Sequence, residues 1–315
     1  MDIGVLINGL PGAVAQGLIW GIVAIGVFIT FKVQDIADLT VDGSLCTGGA
    51  VCIMMMLAGY GNFTSIAVAT LAGMLAGAAT GLLHTFMGIP DILAGILTQL
   101  GLYSINLKIM DSKANQPINA NNADLLVSLR NVKDVPLLEN TIFITAIFMA
   151  VIIIVLYWFF NTEFGCTIRA SGNNEAMCRA QGINVSVNKV VGLTISNGFV
   201  ALAGALLAQY QGFADVQMGR GAIVIGLAAV VIGEAIFGKI FTNFAMRLVS
   251  VSIGSIIYYL VLQVVIWRGL DPQMLKLFSA IIVAIFLAIP YMNSRYFKGM
   301  KSAKGVKGKE VRQNA

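Results

Sequence analysis

Nine stretches of about twenty residues, each nearly free of charge, constrain this chain more than any other feature. They fall at about 10–31, 38–58, 63–83, 91–110, 140–160, 190–211, 221–238, 244–266 and 274–292. A hydrocarbon core of about 30 Å is crossed by roughly 20 apolar residues in a helix. Only 11% of the residues are charged and 58% are hydrophobic, against about 25% charged in soluble chains. So few polar side chains cannot coat a water-exposed globule, and the same composition excludes a disordered chain or a disulfide scaffold. The expected fold is an all-α polytopic membrane protein of about nine transmembrane helices. The second and seventh stretches open on polar and glycine residues, at 38–44 and 215–221. One or two broken or re-entrant segments are therefore expected, because irregular backbone at membrane depth persists only inside protein or along a cavity.

The net charge of +5 is localised. After Tyr291, Arg295, Lys298, Lys301, Lys304, Lys307, Lys309 and Arg312 face one acid, Glu310. The tail thus carries +6 (seven minus one), leaving −1 for the rest. Cytoplasmic segments carry the excess of Lys and Arg, so the tail at 293–315 is expected inside, close to anionic lipid headgroups, with the N-terminus outside. The charge implies membrane lipid as a partner and no nucleic acid. Four spans separate the tail from the polar loop 161–189, which is then cytoplasmic too. The membrane domain is expected over 1–292. An offset of 177 pairs Gly21 with Gly198, Ala37 with Ala214, Asp38 with Asp215 and Gly49 with Gly226. Four spans, a linker span and four spans would form an inverted repeat, although a chain rich in Gly and Ala produces such matches by chance.

The loop at 161–189 is more than a connector. In Arg169-Ala170-Ser171-Gly172-Asn173-Asn174-Glu175-Ala176-Met177-Cys178-Arg179-Ala180-Gln181-Gly182-Ile183, Gly172 reads as a break and Asn173 as an N-cap. A short helix is expected over about 174–181, ended by Gly182, with Glu175 and Arg179 paired at i and i+4. Two uses stand open for such a helix: docking on another protein, or lying on the headgroups.

This loop pattern, Arg-Ala-x-Gly-x-Asn-x-x-Ala-x-x-x-Gly-Ile, resembles the coupling loop of ABC importer permeases of the branched-chain amino acid and ribose class. The stretches at 38–44, 93–100 and 226–234 are similar to that family as well, and 38–44 with 93–106 resembles its tryptophan/tyrosine branch. Two positions depart from the usual pattern: Glu234 replaces a second glycine, and Met177-Cys178 replaces Ala-Arg. The resemblance implies a permease subunit in the bacterial inner membrane, paired with a second permease copy. Cytoplasmic ABC ATPase subunits would bind the coupling loops, and an extracytoplasmic solute-binding protein would deliver the cargo. On this reading Arg169, Gly172, Asn173, Glu175, Ala176, Arg179 and Gly182 carry the coupling. The solute is expected to be small and polar, an amino acid with aromatic ones included; a sugar or nucleoside is the alternative solute.

The residues themselves restrict the chemistry. There is no GxxxxGK[ST], so the chain holds no P-loop and ATP would be bound by a partner subunit. No catalytic centre, metal site or cofactor is expected: His84 stands alone, no CxxC occurs, and Met54-Met55-Met56 reads as packing. The path residues are taken as Asp42, Ser44, Gln99, Tyr103, Asn106 and Glu234. For Asp38 and Asp42 the competing role is capping their own span, for Glu234 a local pair with Lys239, and for the polar residues of the fourth span bonds to neighbouring helices. An ion-coupled secondary transporter is the alternative mechanism, requiring its own midplane site.

Overall fold

The computed structural model describes residues 3–118, 125–132, 136, 139–238, 240–241 and 243–269, with isolated positions between 274 and 288. Most of the ninth expected span and all of the basic tail lie outside the described residues, as does Lys239. The chain forms two compact units, Met1–Gly269 and Leu270–Ala315, and the first contains every element named below.

Helix α1 (Ile3–Phe28) continues into a π-helical turn, Ile29–Val33. The backbone then leaves helical geometry at Asp35, at φ +56°, and α2 (Thr40–Leu57) begins after an irregular stretch. There follow α3 (Asn62–Thr85), α4 (Asp91–Ile109), the short strand β1 (Asn115–Pro117) and α5 (Thr141–Phe160). Two short helices, α6 (Glu163–Asn173) and α7 (Glu175–Ala180), precede α8 (Val185–Gln211). Strand β2 (Phe213–Asp215), α9 (Ala222–Phe237) and α10 (Phe244–Trp267) complete the unit. Among the described residues, seven helices are long and apolar enough to cross a membrane. Helix α9 has 16 residues and reaches only about 24 Å at 1.5 Å per residue, short of a full crossing. The seventh expected span is thus a short helix behind an irregular lead-in.

Apolarity alone does not decide which helix is central. Helix α5 has the highest mean hydropathy, 2.8, yet its span is 22% buried, whereas that of α1, at 2.1, is 83% buried. Without a hydrophobic drive between helices in lipid, close packing selects the core, and small residues supply it. A Cβ on Gly73 or Gly77 of α3 would run into the Asn197 and Leu193 carbonyls of α8, and one on Gly48 of α2 into the Ala201 carbonyl.

The packing also resolves the internal repeat. The Tyr210 hydroxyl donates to the Gly12 carbonyl and Ser196 donates to that of Gly26, so α1 and α8 are antiparallel. Helix α10 runs antiparallel along α1, with Ser255 donating to Gly17 and Phe244 reaching Phe28. Helix α3 runs antiparallel along α8 in the same way. Gly21 faces Ser252 and Ser255 of α10 while Gly198 faces Thr70 and Met74 of α3; Gly49 faces Ala208 of α8 while Gly226 faces Val27 of α1. Exchanging α1, α2 and α3 for α8, α9 and α10 preserves the neighbours, as an inverted repeat requires.

At one end β1 and β2 pair antiparallel, Gln116 opposite Ala214. They cover a small apolar cluster that includes Ile53, Met110, Ala208 and Val216. The α6–α7 segment sits where α1 ends and α8 begins, at the other end of α1 and α8.

Candidate functional site

Two regions gather the residues singled out in the sequence. The first is α6–α7. Thr162 caps α6 by accepting from Gly165 N at 3.2 Å. The helix runs on through Gly172 and Asn173, so the break expected at Gly172 and the cap expected at Asn173 are corrected. Asn174, extended at φ −155° and ψ 96°, ends α6 and caps α7, its Oδ1 accepting from Met177 N at 3.0 Å. Gly172 serves close approach instead of a turn: a Cβ there would overlap the Val33 carbonyl oxygen. Gly182 does stop α7, at φ +79°, with Ile183 N bonded to Cys178 O and Gly182 N to Arg179 O. That pair of bonds is a Schellman motif.

Three anchors hold this segment. Val33 and Gln34 lie against Gly172, and Gln34 Nε2 donates to the Asn188 carbonyl of α8 at 2.8 Å. The Arg169 guanidinium lies over the Phe244 ring of α10 at 5.2 Å. Glu175 meets Arg179 at 3.4 Å and Lys189 of α8 at 2.5 Å, and Lys189 reaches His84 of α3 at 3.5 Å. The Lys189 ammonium hydrogen-bonding Glu175 is the main reason its carboxyl is held below the ordinary range. Asn173, Ala176, Met177, Arg179 and Gly182 remain exposed.

The second region is a cavity of about 250 Å³ between α2, α4 and the lead-in to α9, lined by Asp42, Cys46, Gln99, Tyr103, Asn106 and Arg220 among others. Asp42 does not cap its own helix. Its carboxylate accepts from Gly221 N at 2.9 Å and Ile223 N at 3.0 Å, so α2 supplies the cap for α9, where amides are free and the helix dipole is positive. Gly219 N donates to Cys46 Sγ at 3.1 Å, fixing the lead-in. Asn106 is 1% exposed, and neither polar atom of its side chain has a hydrogen-bond partner.

The structure thus brings Asp42, Gln99, Tyr103 and Asn106 together and leaves out Ser44 and Glu234. Ser44 is buried between helices, donating to Asn197 Oδ1 at 2.6 Å, while Asn197 donates to Asp38 at 2.6 Å. Asp38 in turn accepts from Thr40 N at 2.9 Å, taking the capping role on α2. Glu234 pairs with Lys32 beyond α1 at 3.1 Å. Sequence reasoning missed Asn197, the link between Asp38 and Ser44; the available signal was the polar trio Ser196-Asn197-Gly198 inside an apolar run. Among the described residues no group of three His, Cys, Asp or Glu could hold a metal ion.

Comparison with known proteins agrees with this layout. A family model described as "Branched-chain amino acid transport system / permease component" matches residues 10–290. The "Tyrosine transport system permease protein" of Clostridioides difficile is 36% identical over 91% of this chain and 92% of that protein. The "Autoinducer 2 import system permease protein LsrC" of Yersinia pseudotuberculosis is 32% identical over 67% of this chain and 58% of that protein. A solved structure, PsaBC from Streptococcus pneumoniae in complex with Fab, covers 83% of this chain and 95% of that one at 17% identity and a TM-score of 0.42, too loose a likeness to carry weight. With 281 of its residues inside the family model (10 through 290) and seven apolar helices of spanning length, the chain belongs to the branched-chain amino acid transport permease family, as a multi-pass protein of the bacterial inner membrane.

Proposed function

We propose that this chain is the membrane-spanning permease subunit of an ABC importer and that α6–α7 is its contact with the ATPase. The observation that carries the reading is the anchoring of α6–α7. The segment is tied to the ends of α1, α3, α8 and α10, while Ala176, Met177 and Arg179 stay exposed for a partner. Arg169, Gly172 and Glu175 then act from the inner side of the segment as its attachments. Asn173, Ala176, Arg179 and Gly182 belong to the docking side. ATP bound and hydrolysed on two separate ATPase subunits would displace this segment. Gly172 leaves no slack against Val33, so the displacement passes into α1 and, through Lys189, into α8.

In this reading two copies pair around the path, an extracytoplasmic binding protein hands over the solute, and the N-terminus is outside. The membrane domain extends over 1–292 with about nine spans, the seventh broken into the irregular lead-in and α9, and the basic tail at 293–315 lies inside, on anionic lipid. The path includes Asp42, Gln99, Tyr103 and Asn106, with Ser44 supporting it through Asn197. Glu234 belongs to the α1–α9 contact. An amino acid is the favoured solute, because the relative named for tyrosine transport aligns over nearly the whole of both chains. A sugar-like solute has the relative of lower coverage behind it.

Purifying the chain from its native membrane and measuring solute uptake in proteoliposomes tests the reading. We expect an ATPase to co-purify and vanadate to abolish uptake. A preparation without ATPase, whose uptake survives vanadate and collapses with an ion gradient, would establish the secondary-transporter alternative instead.

A further inference from the structure

A second cavity, larger than the Asp42–Asn106 chamber, opens where α6 passes the ends of α1 and α10. It holds about 630 Å³ and is lined by Phe28, Lys32, Cys166, Arg169, Phe244 and Arg247 among others. The three basic side chains come from three separate elements: Lys32 from the π-helical turn after α1, Arg169 from α6 and Arg247 from α10. Lys32 has an acid against it, Glu234 at 3.1 Å. Among the described residues no carboxylate pairs with Arg169 or Arg247. The rim therefore keeps an excess of positive charge that these residues do not neutralise. Phe28 and Phe244, with ring centroids 6.2 Å apart, give the cavity an apolar floor, and the Arg169 guanidinium lies over the Phe244 ring.

The same rings fix the level of the cavity. Phe244 packs at 4.8 Å on Phe160, the last residue of α5, and Trp158 beside it is 70% exposed. An exposed aromatic at the end of a spanning helix marks the boundary between hydrocarbon and headgroups. Arg247 stands about one turn inside the apolar α10, where a long cationic side chain reaches for the headgroup level. A guanidinium presents paired donors that match a phosphate, and an ammonium adds a point charge. Basic pockets between spanning helices at this level suit anionic headgroups. We propose that this cavity seats the phosphate of an anionic phospholipid headgroup, with Arg169 and Arg247 as its ligands and Lys32 beside them. A zwitterionic headgroup would carry an ammonium into the same positive rim. The seated lipid braces α6 against α1 and α10. The proposal goes beyond the permease reading and depends on neither ATP nor cargo, so its failure leaves that reading intact.

The test uses the full chain in nanodiscs of phosphatidylcholine, with or without phosphatidylglycerol. Cys166 reports occupancy, because it lines the cavity and is exposed while Cys46, Cys52 and Cys178 are buried. We expect neutral N-ethylmaleimide to label Cys166 at least fivefold more slowly when phosphatidylglycerol is present. Phosphatidylethanolamine in its place, or inorganic phosphate added to phosphatidylcholine discs, should give no protection. Arg247→Gln should remove most of the protection and Arg247→Lys restore much of it, although the lipid surface charge is the same. Native mass spectrometry of the chain released from discs holding the three lipids in equal parts gives a reading independent of the thiol. The parent should retain one phosphatidylglycerol, with occupancy falling about fivefold in Arg169→Gln and in Arg247→Gln, the size expected of one basic side chain beside an anionic headgroup. Both side chains are exposed, and either variant can be read if the other does not fold. The proposal is overturned if phosphatidylglycerol neither protects Cys166 nor is retained. It is overturned equally if both variants match the parent, which would put the lipid on the basic tail, or if phosphatidylethanolamine serves as well. Protection by free phosphate would make the occupant a soluble anion, and protection only with ATPase subunits present, whatever the lipid, would make it a protein side chain; either result refutes the headgroup site.

Discussion

The α6–α7 end and the chamber are both polar regions in an apolar protein, but they treat their polar groups differently. Around α6–α7, Glu175, Lys189 and His84 form a chain of contacts across three helices, and Asn174 and Asn184 each cap a helix. Gln34 and Asn188 each keep one amide atom unbonded, yet they are joined to each other. In the chamber, Asn106 uses neither of its side-chain polar atoms. A region whose side chains are spent on one another transmits displacement, because nothing in it is free to rearrange cheaply. A region with an unspent buried amide lacks that mutual bracing. The two are joined through α9, whose start is capped by Asp42 at the chamber and whose end meets Lys32 beside α1 through Glu234.

The sharpest way to break this contrast is Gly172→Ala. The added methyl lands on backbone at Val33, which cannot turn aside as a side chain would, and overpacking of this kind costs about 1–3 kcal/mol. We expect a lower thermal midpoint and a loss of ATP-driven uptake, read by melting and by the proteoliposome assay. Next in size is Asp42→Ala, which strips the cap of α9 at about 0.5–2 kcal/mol; here uptake and stability should fall together. Asp42→Asn, which keeps an acceptor, should recover most of the stability but not the uptake, as read by melting and by the proteoliposome assay.

The smallest effects concern Glu175. Its carboxyl is lowered chiefly by the hydrogen bond from Lys189. Its stabilisation is therefore fully present above the unfolded value of about 4.3 and is lost as pH falls through the lower folded value. Melting curves of the parent and Glu175→Gln should run parallel from pH 8 to 6 and converge only below about pH 4.3. The Arg179 partner is exposed, so Arg179→Ala should cost only about 0.3–0.5 kcal/mol. A larger drop in uptake than in stability would then locate its role in docking.

Much of this layout is legible in the sequence because membrane length and Gly spacing are one-dimensional signals. The irregular starts of the second and seventh spans, the Gly182 stop and the Glu175–Arg179 pair all appear in the folded chain, whereas the helices related by the repeat start 182 residues apart (3 and 185, 40 and 222, 62 and 244) and not 177. What escapes is set by partners distant in sequence. Gly172 looks like a helix breaker until Val33 is seen against it, and Asn174 captures the cap because the chain turns extended one residue later than expected. Asp42 reads as a cap for the helix it opens, yet the amide donors it accepts from lie 179 and 181 residues away at the start of α9. Glu234 has no local signal for Lys32, which lies 202 residues earlier in the sequence (234 minus 32). Burial is the other blind spot: α5 is the most apolar span and among the least enclosed, since lipid and protein interior look alike to hydropathy.

The account stands most directly on what α7 touches. Met177 is 57% exposed on that helix, so a photo-crosslinking amino acid at position 177 in the intact complex reports its neighbour. Illumination should yield a single major adduct between this chain and a cytoplasmic ATPase subunit, stronger when nucleotide is bound. An adduct with an extracytoplasmic protein, or labelling of lipid alone, would contradict the coupling role of α6–α7 and with it the proposed function.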